Sequence, residues 1–84
     1  MNEIIARVSE LRRDGRFNNL GEFRFVSKPS SGDRLVIGEM SGDLDIYEVD
    51  HIEHHLARTG LVLAGDPSLT VIVRYHSSWS PDGD

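Results

Sequence analysis

Ile4-Ile5-Ala6-Arg7-Val8-Ser9-Glu10-Leu11 is the stretch on which the fold of this chain turns. Ile4, Ile5, Val8 and Leu11 stand at i, i+1, i+4 and i+7, the spacing of one apolar stripe along an α-helix. The flanks agree with a helix. Asn2 suits the N-cap, and Glu3 complements the positive end of the helix dipole. Arg12 and Arg13 fall in the last turn, where cations are favoured, and Gly15 suits the left-handed residue that ends a helix. Stripe and caps together predict an amphipathic helix over residues 3–14.

Beyond Gly21 the period changes to two. Phe23 and Phe25 alternate with Glu22 and Arg24, as in a strand with one aromatic face turned inward. Lys28-Pro29-Ser30-Ser31-Gly32-Asp33 reads as a loop, and Leu35-Val36-Ile37 as the next strand. Met40-Ser41-Gly42-Asp43 is a tight turn leading into a strand over Leu44–Val49, so the two runs form an antiparallel hairpin. A last strand spans Leu69–Tyr75. Gly-Asp recurs at Gly32-Asp33, Gly42-Asp43 and Gly65-Asp66, each shortly before an apolar run. The unequal spacings mark recurring turn chemistry rather than a structural repeat.

Asp50–Gly60 admits two readings. As a short helix it is capped by Asp50, supported by Glu53 three residues on, and ended by Gly60, with Ile52 and Leu56 on one face. As a strand it continues the preceding one through Ile52, His54 and Leu56. That continuation needs a bulge, because Tyr47 and Val49 have the opposite parity from Ile52. The caps favour the helix, over residues 50–59.

The 84 residues suit one domain, with 38% hydrophobic and 27% charged residues. A domain this small buries a modest share of its surface, so its core is thin and self-association is attractive. There is no cysteine, which removes disulfides, thiolate nucleophiles and cysteine-based zinc motifs. The start is not patterned as a signal peptide, and no run approaches a membrane span, so a cytoplasmic protein is expected. The net charge of −5 is divided unevenly, +2 over residues 1–34 and −7 over residues 35–84. An acidic half repels phosphate backbones and disfavours nucleic acid as a partner.

Chemistry concentrates in Asp50-His51-Ile52-Glu53-His54-His55. Imidazoles and carboxylates are ligands for divalent transition metals, and His51 and His55 lie one turn apart on a helix. On a strand His51, Glu53 and His55 share a face instead, and His76 is a candidate third ligand. Protonating all four histidines moves the net charge from −5 to −1, which should lower solubility and favour association as pH falls towards 6. Phe17, Phe23 and Phe25 with Arg16, Arg24, Lys28 and Arg34 form an aromatic and basic grouping of the kind that stacks single-stranded bases. Burial of the phenylalanines is the stronger expectation. The acidic run Asp43, Asp45, Glu48, Asp50 and Glu53 lacks the order of a calcium loop and reads as a solvated strand face. No nucleophile elbow, phosphate loop or dinucleotide fingerprint is present, and no catalytic role is expected.

The expected fold is therefore α+β: an N-terminal amphipathic helix on a four-stranded antiparallel meander over residues 1–76, with a disordered tail at 77–84. A small SH3-like β-barrel carrying an N-terminal helix is the alternative. The expected core comprises Ile4, Val8, Leu11, Phe23, Phe25, Leu35, Ile37, Ile46, Ile52, Leu56, Val71 and Val73. The expected function is a non-catalytic binding or assembly module without a cofactor, acting on an unidentified protein partner or on itself as a homodimer. Tyr47, Asp50 and His54 are its expected contact residues. Metal binding through His51, His54 and His55, and weak binding of single-stranded nucleic acid, are the alternatives.

Overall fold

The computed structural model describes residues 3–56 and 68–80. Among them there is no helix: the elements are five strands, β1 (Ile4–Leu11), β2 (Phe17–Phe25), β3 (Arg34–Gly38), β4 (Leu44–His55) and β5 (Ser68–Trp79). The α+β expectation is overturned at both of its helices. The alternative, an SH3-like β-barrel with an N-terminal helix, fails at the same helix.

Over eight residues the two periods give nearly the same pattern, because a step of four is in phase with both a helix turn and a strand pleat. Ile4 and Val8 fit either. What separates the readings is whether Ile5 or Ala6 joins them inside. Ala6 is 2% exposed and Ile5 57%, so the pleat decides, in keeping with the β-branched Ile4, Ile5 and Val8. Gly15, at φ 84°, serves a hairpin and not a helix end. Arg12 donates its N–H to the Arg16 carbonyl (2.8 Å), Gly15 donates to Arg12 (2.9 Å), and the Asp14 carboxylate accepts from the Arg16 N–H (2.9 Å). Glu39–Asp43 repeats this turn between β3 and β4. Glu39 donates to Asp43 (2.8 Å), Gly42 donates to Glu39 (3.0 Å), and Gly42 has φ 93°. Both are type I turns closed by a left-handed glycine bulge.

The strands lie in the order β2-β1-β5-β4-β3. The β1/β2, β3/β4 and β4/β5 pairs are antiparallel, whereas β1 and β5 run parallel, with Val8 beside Val71. The meander expectation fails at that parallel contact, which places β1 inside the sheet. The second helix expected at 50–59 is replaced over 50–55 by the bulged strand: Val49 faces Val73 and His51 faces Ile72, so Asp50 is the extra residue. Positions 57–59 lie outside the described residues. A second bulge falls at His76, since Ile46 faces Ser77 and Tyr47 faces Tyr75. β5 continues through Ser77 and Ser78 to Trp79, residues that read as tail in the sequence; positions 81–84 lie outside the described residues.

Cross-strand partners share a face, and one face is apolar at its centre, with Glu10, Asp45 and His54 towards its ends. Ala6, Val8, Tyr47, Val49, Val71 and Val73 form its buried centre. Leu20, Phe23, Phe25, Leu35, Ile37, Ile52 and Leu69 pack around them, half covered. Among the described residues the most deeply buried side chains are valines, Val8, Val49, Val71 and Val73, with Ile72 buried on the other face. Of the expected core, Val8, Val71 and Val73 are buried. Ile4, Leu11 and Ile46 are half-buried, and Leu56 is 85% exposed. The sheet curls around this face, so β2 and β3 approach each other across it as the two walls of an open half-barrel.

Candidate functional site

The most distinctive surface is the seam between β2 and β3. Both strands are at sheet edges, and among the described residues each has one row of backbone N–H and C=O groups with no strand beside it. No Cα of β2 comes within 8 Å of β3, so the barrel does not close. Val8, Phe23, Phe25, Leu35 and Ile37 line a cavity of about 220 Å³ there, with Arg24 and Arg34 at its margin. Sequence patterning makes both walls. Phe23-Arg24-Phe25 and Arg34-Leu35-Val36-Ile37 alternate, sending aromatic and aliphatic groups to the concave side and an arginine from each strand to the convex side. Arg24 is 3.6 Å from Glu3 in an exposed pair. Arg34 has no ion-pair partner within 4.0 Å among the described residues.

The histidine segment lies elsewhere, on the convex face of β4. The bulge at Asp50 turns Asp50 and His51 to the same side. His51 Nδ1 is 2.7 Å from the Asp50 carboxylate, and Arg74 Nε donates to its other oxygen at 3.0 Å. His51 Nε2 is 3.4 Å from one Glu53 oxygen, and His55 Nε2 is 3.8 Å from the other. The hydrogen bond that the Asp50 carboxylate accepts raises the His51 pKa, with Glu53 adding to it and desolvation opposing. His51 and then Arg74, hydrogen-bonding to the Asp50 carboxylate, lower its pKa. The row is a ladder of pairs: His51 and His55 address different oxygens of Glu53. Among the described residues, no three His, Asp or Glu side chains are grouped so as to hold a metal ion.

The remaining sequence candidates are scattered. His54 alternates to the opposite face from His51 and His55 and pairs with Leu69. His76 bonds Ser77 Oγ at 2.8 Å, opposite the Ile46/Tyr47 step and well along the strand from His51. Tyr47, an expected contact residue, is 8% exposed and packs edge-to-face on Tyr75, with ring centroids 5.8 Å apart. Its hydroxyl pKa is raised, first by burial and then by the charges of Glu10, Asp45 and Glu39. Asp50 is exposed but engaged by His51 and Arg74. The aromatic and basic grouping divides: Phe23 and Phe25 with Arg24 and Arg34 form the seam, whereas Phe17 is exposed on β2 beside Leu11 at the far end of the hairpin.

Only Phe23, Phe25, Arg24 and Arg34 of that grouping border the seam, and the seam itself is not legible in the sequence, because a gap between strands remote in sheet order leaves no mark on either strand alone. A cleft beside Arg74 and Tyr75, about 320 Å³ and lined also by Glu10, Leu11, Arg12 and Arg13, is not legible there for the same reason. It forms where β5 runs on past the end of β1. Comparison with protein-family models, with curated proteins and with solved structures finds no match to this chain.

Proposed function

We propose that this protein is a non-catalytic binding module that takes up an extended segment of another polypeptide in the seam between β2 and β3. The observation that carries this reading is the seam itself, where two strand edges unpaired among the described residues face each other over an apolar floor. A strand inserted between two others needs about 9.6 Å from wall to wall, twice the spacing of paired strands. A separation above 8 Å is in keeping with that requirement. Strand addition supplies main-chain hydrogen bonds for affinity and alternate side-chain pockets for specificity. It would also complete the cover of Phe23, Phe25, Leu35 and Ile37, which are only partly buried against the core. β2 runs antiparallel to β1, and β3 runs parallel to β1 by way of β4 and β5. The walls therefore run in opposite directions, and an inserted strand pairs parallel with one and antiparallel with the other.

Amide hydrogen exchange with and without a panel of alternating apolar/polar peptides tests this reading. Binding should slow exchange at amides of both β2 and β3. If no peptide slows exchange on either strand, the reading fails.

One observation favours a second reading, binding of a divalent transition metal on β4. The Asp50 carboxylate fixes Nδ1 of His51, which turns Nε2 towards the Glu53 carboxylate at 3.4 Å, the arrangement in which an outer carboxylate orients a histidine ligand. Binding would require the His55 ring to turn towards His51. A Zn²⁺ titration of the wild type and of a His51→Ala/His55→Ala double variant decides it, and equal binding by the two ends this second reading.

A further inference from the structure

The charges on the seam walls specify the occupant further, an inference that rests on the strand-accepting reading. Arg24 lies one residue before the end of β2, and Arg34 is the first residue of β3. The loop 26–33 joins those two ends, and both arginines border the same cavity. They therefore stand at the same level on opposite walls. Each points to the convex side, since its neighbours Phe23, Phe25 and Leu35 belong to the concave cluster. In a strand laid between the walls, every second side chain enters the concave interior and the others stand on the convex side. The convex residue at this level has one arginine on either side as its lateral neighbour. Lateral neighbours on one face of a sheet interact directly: opposite charges stabilise and like charges destabilise. Arg34 is the only charged residue of β3, and Lys28 adds a third cation on the exposed joining loop. The acids nearby are Glu48, the cross-strand partner of Arg34 on β4, Glu22 on the convex side of β2, Glu3, which is 3.6 Å from Arg24, and Asp33, whose carboxylate accepts the Ser30 N–H at 2.9 Å.

We propose that the seam binds an extended protein segment in which aliphatic residues alternate with Asp or Glu, held as a sixth strand with an acidic side chain between Arg24 and Arg34. The aliphatic residues fill the cavity over Val8, Phe23, Phe25, Leu35 and Ile37. The acidic residue replaces the exposed pair that Arg24 makes with Glu3 and gives Arg34 an acidic neighbour on its open side, as Glu48 does on the β4 side.

The probes are three fluorescein-labelled decapeptides: alternating Val and Glu, alternating Val and Lys, and the Val/Glu composition rearranged into two blocks. Anisotropy titrations use the full chain and an Arg24→Glu/Arg34→Glu variant whose fold is checked by circular dichroism. The alternating acidic peptide should bind the wild type about tenfold or more tightly than the Lys peptide, with the blocked peptide weaker than either. The double variant should reverse the order of the first two. Equal binding of the Glu and Lys peptides, with β2 and β3 amides protected by both, overturns the acidic preference and leaves the strand-accepting reading standing. Absence of binding by any of the three overturns both. Acidic binding that is unchanged in the double variant places the contact outside the seam and also overturns the proposal.

Discussion

Asp50 shows how a single inserted residue creates a local electrostatic unit. Placed out of register by the bulge, its carboxylate joins Arg74 and His51 on the convex face. The His51 pKa is raised in the folded protein, so the stabilisation from its pairing is complete below its unfolded pKa of about 6.5 and is lost as pH rises through the folded value. The Asp50 pKa is lowered, so its share is present above about pH 3.9 and is lost as pH falls through the folded value. Both groups are exposed and the gain is small. An Asp50→Asn variant should bring the His51 pKa down towards the ordinary range, as followed by NMR titration of the ring protons. An unchanged titration would dissociate the shift from Asp50. At the turns, Gly42→Ala should destabilise the protein by about 1–2 kcal/mol in urea denaturation, the cost of a left-handed backbone for an L-residue, and Gly42→Asn by less. Gly15, with open space where a Cβ would stand, isolates the same backbone term from steric contact.

Among the elements, β5 carries most of the structure, with β1 on one side and β4 on the other and Val71 and Val73 fully buried. Val71→Ala should cost about 2 kcal/mol through lost burial and the cavity left behind. Leu56→Ala, at an 85% exposed position that sequence patterning assigned to the core, should cost under about 0.5 kcal/mol. Chemical denaturation of the two variants checks both, and a large loss at Leu56 would contradict this placement. How well each element shows in the sequence depends on its length and on what flanks it. β3, β4 and β5 are legible from alternation and from Gly42, which matches the turn it makes. β1 is not, since Ile4 and Val8 fit two periods and the flanking charges mimic helix caps. Asp14-Gly15, a strong hairpin signal, was the clue that outweighed them. The bulge at Asp50 was legible in the parity change between Val49 and Ile52, yet Asp50 and Glu53 imitate a helix start equally well.

For the whole molecule the consequence is an unfinished barrel. A ligand that binds the folded state raises its stability by mass action. Saturating the seam with the alternating acidic peptide should therefore raise the thermal midpoint measured by circular dichroism, and Arg24→Glu/Arg34→Glu should abolish the rise. No shift in the wild type at concentrations that saturate anisotropy would mean that the peptide does not favour the folded barrel. By itself the sequence determined the turn glycines, the alternating strands after Gly21 and the residue types on each wall, because these are local matters of backbone freedom and pleat. The choice between helix and strand at Ile4–Leu11, the parallel contact of β1 with β5, and the meeting of Arg24 with Arg34 across a gap were decided only in the tertiary structure. Each depends on which distant strand lies alongside, and short-range periodicity carries no information about that.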